Sequence, residues 1–220
     1  MDRAARRELI VKWIAKQLQH GQLVNLGIGM PTMVANHIPE GVNIILQSEN
    51  GFLGLGAAPE PHEVDPDVTN AGAQHVTILP GGACFDSATS FAIIRGGRLD
   101  VTVLGALEVD ELGNLANWMV PGKIVPGMGG AMDLTVGAKK VIVAMEHTTK
   151  DGKAKILPQC TLPLTAQQEV DLIVTDMGVI EVTPQGLVLK EIAPGVTVEE
   201  VVAATAAKLT IHPELKEMTA

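Results

Sequence analysis

Val24-Asn25-Leu26-Gly27-Ile28-Gly29-Met30-Pro31 is an apolar run that stops in a glycine turn. Val24 to Ile28 reads as a short buried strand. Pro31, with its fixed φ and missing N–H, suits the first turn of a helix that runs through Asn36. Strand, glycine turn and helix open a βα unit. Upstream, Leu9, Ile10, Trp13, Ile14 and Leu18 recur at helical spacing with charges between them. They predict an amphipathic first helix ending at Gly21. Downstream, a strand from Val42 to Gln47 leads straight into Ser48-Glu49-Asn50-Gly51, and the Pro- and acid-rich stretch from Ala57 to Asp67 reads as a surface loop.

The same alternation continues to the end of the chain. Strands are predicted at Val76 to Leu79 and Val101 to Leu104, with a helix from Ser87 to Arg95 between them. Val141 to Met145 and Leu172 to Thr175 are apolar on both faces, as central parallel strands are. Val179 to Val182 and Leu187 to Leu189 flank the hairpin signal Thr183-Pro184-Gln185-Gly186. Thr197 with Glu200 three residues on forms a capping box for a last helix to about Leu209. Together these elements predict an α/β fold with an open, mostly parallel sheet and helices on both faces. No linker, repeat or low-complexity tract divides residues 1–220, so one domain is expected.

Composition narrows the function. Apolar residues make up 46% of 220, charged residues 19% and aromatics 2%, with no tyrosine. Such a chain buries a core built from Val, Ile, Leu, Ala and Met. The net charge of −9, from 16 basic and 25 acidic side chains, repels phosphate backbones and argues against nucleic acid. Cys84 and Cys160 lie far apart without CxxC spacing, so a reducing compartment fits better than a disulfide framework. The stretch of Arg3, Arg6 and Arg7 is broken by Asp2, Glu8 and Lys12, with no apolar h-region behind it and no apolar run of membrane-spanning length. A cytoplasmic protein is expected.

Three places can carry chemistry. Glu49, flanked by Ser48, Asn50 and Gly51, follows an apolar strand, and sites in open α/β sheets gather at the carboxyl ends of strands. Ser48 and Asn50 can hydrogen-bond nearby backbone or a carboxylate. An ordinary turn acid pointing into water has the same local sequence. In Pro126-Gly127-Met128-Gly129-Gly130-Ala131-Met132-Asp133-Leu134, three glycines let N–H groups converge on an oxyanion or phosphate, or simply form a flexible turn before a helix. Asn25-Leu26-Gly27-Ile28-Gly29 is half a dinucleotide fingerprint without its third glycine or a ribose-binding acid. Cys84 has no local base and reads as a small buried thiol. Trp118 lines a pocket or fills the core. The six histidines never form HxxxH or HxH, so no metal site is expected.

Taken together, these segments resemble the β subunit of the 3-oxoacid coenzyme A transferases, the acetate, butyrate or succinyl-CoA:acetoacetate enzymes. The resemblance runs from the first helix to the end. It rests on Val24 to Thr32, Gln47-Ser48-Glu49-Asn50-Gly51 and Phe91-Ala92-Ile93-Ile94-Arg95-Gly96-Gly97. It continues through Asn114-Leu115-Ala116-Asn117-Trp118, Pro121-Gly122-Lys123, Gly127 to Leu134 and Ala193-Pro194-Gly195-Val196-Thr197. It implies the fold shared by coenzyme A transferases and some sugar-phosphate isomerases. By the same resemblance Glu49 is the nucleophile of a ping-pong CoA transfer through a glutamyl-CoA thioester, with coenzyme A as substrate and no tightly bound cofactor or metal. Gly129 and Gly130 are then oxyanion donors, and Asn25, Gly29 and Asn50 lie near the acyl or CoA end. Some succinyl-using relatives carry lysine where this chain has Ala73, which favours donors such as acetyl-CoA or butyryl-CoA, with acetoacetate as partner acid. The resemblance also implies a separate α subunit in an α2β2 or similar hetero-oligomer, with no membrane. Rival readings are an acyl-CoA hydrolase using the same glutamate, a sugar-phosphate isomerase, or a non-catalytic regulatory subunit on the same fold.

Overall fold

The computed structural model describes residues 2–122, 125 and 127–219; Lys123 and Pro126, quoted above, lie outside the described residues. Helix α1 (Arg3–Gln17) begins where the Asp2 carboxylate accepts the Ala5 N–H at 2.8 Å, satisfying one of the N–H groups a helix start leaves unpaired. Its apolar side, including Ile10, Trp13 and Ile14, is buried. The helix stops before Gly21 because the Gly21 N–H is taken by the Asn43 carbonyl at 2.7 Å, which turns the chain into strand β1 (Leu23–Leu26). The expected helix after β1 is a 3-10 helix, Met30–His37. Its start has no side-chain cap, and the Gly29 carbonyl accepts the Thr32 N–H three residues on, the 3-10 spacing.

Strand β2 (Ile45–Ser48) carries Glu49 at its end and returns at once through β3 (Phe52–Leu55) to β4 (Ile78–Cys84). Helix α2 (Ser87–Arg95), β5 (Val101–Leu104), β6 (Glu108–Asp110) and β7 (Leu115–Ala116) follow. Next come α3 (Ala131–Gly137), β8 (Val141–Ala144), β9 (Ile156–Leu157) and β10 (Leu172–Val174). The chain closes with β11 (Gly178–Thr183), β12 (Gly186–Ile192), α4 (Val198–Ala204) and β13 (Leu209–Glu217). Helix α4 has the expected capping box but ends at Ala204, because residues 209–217 join the sheet as its edge beside β12.

Ten strands form one open sheet in the order β13-β12-β11-β10-β8-β5-β1-β2-β3-β4. The five central strands, β2, β1, β5, β8 and β10, are mutually parallel, as expected. Antiparallel pairs follow on both sides, at β2–β3, β3–β4, β10–β11 and β11–β12, so the sheet is mixed with a parallel centre. The reversal at β2–β3 has a local cause: three residues join the two strands, and a connection so short can only turn back. The central strands are buried on both faces. Val101, Val103, Ile142 and Ala144 pack with α1 on one side, while Leu104, Val141 and Val143 pack with Ile94 of α2, Leu134 of α3 and Val201 of α4 on the other. Among the described residues no helix is long and apolar enough to cross a membrane.

His147, just past β8, shows what this packing does to a titratable group. Its ring nitrogens sit 2.9 Å from the Thr175 and Thr205 hydroxyls. Both hydroxyls also donate to backbone carbonyls, Thr205 to that of Val201 at 2.7 Å and Thr175 to that of Gly178 at 3.1 Å. Burial pushes the imidazole down to about 4, against a weaker upward pull from Asp176. A histidine depressed in the fold keeps its full contribution above the ordinary value of 6.5 and loses it as pH falls through about 4. The unfolding free energy from urea titration should therefore fall between pH 6.5 and 4, by an amount on the order of 3 kcal/mol at most. In His147→Gln the stability at pH 7 should be lower and the slope across that window flatter; equal slopes would clear His147 of the effect.

Candidate active site

The turn that carries Glu49 has almost no conformational slack. Gly51 has φ +135°, and a Cβ there would stand 2.2 Å from the Phe85 carbonyl oxygen. That close approach is bonded from the other side, the Phe85 N–H donating to the Gly51 carbonyl at 2.8 Å. Ser48 donates from its hydroxyl to Asn50 Oδ1 at 2.6 Å and accepts the Ala71 N–H at 3.1 Å. Asn50 Nδ2 donates to the Thr69 carbonyl at 2.7 Å. Both polar ends of Asn50 thus clamp the turn to residues 69–71, and Asn50 does not line the cavity described below.

The glycine-rich segment before α3 closes on the other side. The Gly130 N–H donates to Glu49 Oε1 at 3.2 Å. A Cβ on Gly130 would lie 2.6 Å from Oε2, and one on Gly129 would lie 3.4 Å from Oε1. Only a bare backbone fits this close to the carboxylate at residue 130. Burial pushes the Glu49 carboxyl above the ordinary glutamate range, the Gly130 N–H pulls it back, and Asp133 in the first turn of α3 pushes it up again. Arg95 Nε holds Asp133 Oδ1 at 2.6 Å and offsets part of that repulsion.

Glu49, Gly129, Gly130 and Asn25 meet on one cavity of about 620 Å³, within the usual range for a small-molecule site. Ile28, 72% exposed, lines it together with Leu55, Leu104, Trp118 and Met128. Trp118, open between pocket and core in the sequence, is half-buried on this wall, with Nε1 donating to the Leu164 carbonyl at 3.3 Å. Gly29 sits one residue beyond the lining at the start of the 3-10 helix. Cys84 is exposed on the edge strand β4 rather than buried, because nothing pairs beyond that edge in the sheet. Gln47 and Ser90 also belong to the site, although no local signal marks them. Asn25 Nδ2 donates to Gln47 Oε1 at 2.6 Å, and Gln47 Nε2 donates to Ser90 Oγ at 2.9 Å.

A carboxyl raised in the fold is stabilising while protonated in both states, and that stability is lost as pH rises through the folded value. The ionised form of Glu49 therefore works against the fold. Glu49→Gln, which keeps an oxygen for Gly130, should melt at a higher temperature than the wild type at pH 7. The gap should close as pH falls towards the ordinary value of 4.5. A variant that melts at or below the wild-type temperature at pH 7 would show that burial does not strain this carboxylate.

Comparison with known proteins identifies the family. The sequence pattern described as coenzyme A transferase matches residues 7–204. The beta subunit of the acetate CoA-transferase of Escherichia coli K12 is 56% identical over 209 residues, covering 95% of both chains. One subunit of the succinyl-CoA:3-ketoacid coenzyme A transferase of Helicobacter pylori J99 is 50% identical over 94% of this chain and 99% of its own. A mitochondrial succinyl-CoA:3-ketoacid coenzyme A transferase of Mus musculus, 2B, is 50% identical over 99% of this chain but only 42% of its own length. Among solved structures, the apo acyl-CoA transferase YdiF of Escherichia coli O157:H7 superposes with a TM-score of 0.78 at 26% identity, over 97% of this chain and 43% of its own. Glutaconate coenzyme A-transferase from Acidaminococcus fermentans, 20% identical with a TM-score of 0.72 over 97% of this chain and 88% of its own, shares the fold. From the pattern it matches and the relatives it covers end to end, the chain belongs to the coenzyme A transferase family.

Proposed function

We propose that this chain is the catalytic β subunit of a CoA-transferase and that Glu49 is its nucleophile. The observation that carries the proposal is the Gly130 N–H on Glu49 Oε1, at a residue where a side chain would collide with the carboxylate. A carboxylate is a weak nucleophile that is already ionised, so it needs positioning more than a base; orientation of this kind is worth roughly 7–11 kcal/mol of barrier.

Glu49 attacks the acyl-CoA carbonyl, the C–S bond breaks, and a mixed anhydride and CoA thiolate result. The thiolate attacks the glutamyl carbonyl, releasing the first acid as carboxylate and leaving a glutamyl-CoA thioester. An incoming carboxylate attacks that thioester, expelling the thiolate and forming the second anhydride. The thiolate then takes the new acyl group and Glu49 is regenerated. Each attack places negative charge on a former carbonyl oxygen, and the Gly130 N–H already points at the oxygen of Glu49 that becomes one of them. One such donor contributes about 2.7–4 kcal/mol.

The acid substrates are short and have uncharged tails. Among the described residues lining the cavity, Glu49 is the one charged side chain, and the remainder is largely aliphatic with a few amides. A second carboxylate on the substrate would be desolvated there without a counter-ion. Ala73, where some succinyl-using relatives carry lysine, fits the same preference. The full-length bacterial relatives are themselves named as subunits, which supports a separate α subunit, in an α2β2 or similar assembly, as the partner over the open side of this cavity. A cytoplasmic setting suits acyl-CoA as substrate.

Borohydride reduction of the αβ complex after incubation with acetoacetyl-CoA tests the mechanism, because a thioester is reduced and a free carboxylate is not. Peptide mass spectrometry should find CoA-dependent reduction at Glu49 with loss of activity. An unmodified Glu49 in a complex that still turns over would falsify the covalent scheme. The same complex should use acetate or butyrate as acceptor with a kcat/KM about tenfold or more above that for succinate. Equal values would overturn the reading of the cavity, and CoA release without any added carboxylate would mark a hydrolase instead.

A further inference from the structure

Five carboxamides line the cavity among the described residues, and four of them already have an acceptor for the NH₂ group. Asn25 Nδ2 donates to Gln47 Oε1 at 2.6 Å and to the Gln47 carbonyl at 3.3 Å, and Gln47 Nε2 donates to Ser90 Oγ at 2.9 Å. Asn117 Nδ2 donates to the Gly105 carbonyl at 3.1 Å, and Asn70 Nδ2 donates to Gln74 Oε1 at 3.2 Å. Gln74 is the fifth. It is exposed, and in its bond to Asn70 it is the acceptor.

The polarity of that bond is fixed by its neighbours. Asn70 Oδ1 accepts the Gly72 N–H at 2.9 Å and the Gln74 N–H at 3.0 Å, so the other end of the Asn70 amide, its NH₂, is the one that meets the Gln74 side chain. A donor must meet an oxygen there, which leaves Nε2 of Gln74 as the end that a ligand can use. The Gln74 backbone is occupied within the loop: its N–H goes to Asn70 Oδ1, and its carbonyl accepts the Asn70 N–H at 2.9 Å. What Gln74 adds to the wall is therefore a side-chain donor on an anchored arm.

The arm is tied to the turn that carries Glu49. Asn50 Nδ2 holds the Thr69 carbonyl, Ser48 Oγ holds the Ala71 N–H, and Thr69 and His75 close the loop as an antiparallel bridge. Gly72 of the same loop packs towards the cavity residue Ile28, where a Cβ would stand 3.5 Å from Cγ1. The donor thus belongs to a wall that is otherwise apolar, at a place set by the hydrogen bonds that also set Glu49. The hydrocarbon tail of a saturated short acid has no atom that can use it. A 3-oxo acid has one, the ketone oxygen two carbons beyond the carboxyl carbon.

We propose that Gln74 is a specificity residue whose Nε2 donates to the ketone oxygen of a 3-oxo acid, favouring such acids over saturated acids of the same length. The proposal rests on the reading of Glu49 as the nucleophile of a CoA transfer.

The test compares kcat/KM for acetoacetate and butyrate in the αβ complex with acetyl-CoA as donor, since the two acids share a chain length and differ at the ketone. Gln74→Glu keeps an oxygen for Asn70 and loses the donor, and Gln74→Met loses both at similar size. In both variants the acetoacetate-to-butyrate ratio should fall about tenfold, and in Gln74→Met the butyrate value should stay within about twofold of wild type. An unchanged ratio in both variants overturns the proposal. So does an equal loss for the two acids, which would place the donor on a carbonyl of the CoA arm instead. Borohydride trapping of the wild type keeps the two ideas apart. Failure to trap Glu49 removes the nucleophile and this proposal with it, whereas trapping with an unchanged ratio removes only the role of Gln74.

Discussion

A single backbone N–H, that of Gly130 on the Glu49 carboxylate, sets the conditions the rest of the structure has to meet. It joins residues 81 positions apart, so it exists only if the sheet delivers both to one place. Parallel strands β2, β1, β5 and β8 do so by ending on the same side, with the glycine segment and α3 leading into β8 from that side. The closeness of the contact then dictates composition at both ends. Gly130 can carry no side chain because the carboxylate is there, and Gly51 can carry none because the turn behind the carboxylate presses on Phe85. Ser48 and Asn50 tie that turn to residues 69–71, which keeps the glutamate from swinging out into solvent.

Holding a carboxylate in that position works against stability. Burial and Asp133 both raise the Glu49 pKa, and one N–H lowers it, so the charged form is the form the fold favours less. Arg95 pairs with Asp133 at 2.6 Å and so limits the repulsion that Asp133 exerts on Glu49. The rigid turn on one side and the Gly130 contact on the other leave the carboxylate few ways to relax. His147 gives the contrast within the same sheet. It too is buried against its charged form, but it has a hydroxyl partner for each nitrogen and does not line the cavity.

Elements with local causes are legible in the sequence. The Thr197–Glu200 capping box, helix α2 and the hairpin at residues 183–186 need only neighbours to form. The central strands are legible because burial on both faces leaves an unbroken β-branched run. Strand β13 is not: Leu209 to Glu217 carries Pro213 and several charges, and it is an edge, where such residues discourage further pairing. Strand β3 is hidden because it is four residues long and follows the catalytic turn with no gap. Within the site, Glu49 stands out as a strand-end acid, but only the family resemblance lifts it above an ordinary turn residue. Gln47 and Ser90 have no signal, since the partners they bond lie 22 and 43 residues apart and each looks like a routine polar residue on its own element.

Charge points beyond this chain. A CoA transfer brings together a carboxylate acid, a phosphate-bearing acyl-CoA and the glutamate, all negative, beside a subunit whose own net charge is −9. The described walls of the cavity answer with amides, backbone N–H groups and aliphatic carbons, and with no cation. Dipoles at close range stabilise an oxyanion well, but they do little to draw a multiply charged substrate out of water, which requires net positive potential over a longer range. A site can therefore divide the work. With Glu49 as the proposed nucleophile, this chain supplies the short-range groups, where a misplacement of an ångström matters. A long-range attraction for CoA would then have to come from charge outside these walls. That division explains why the fold concentrates its rigidity in a few residues around Glu49 and leaves Ile28 and its neighbours open at the rim.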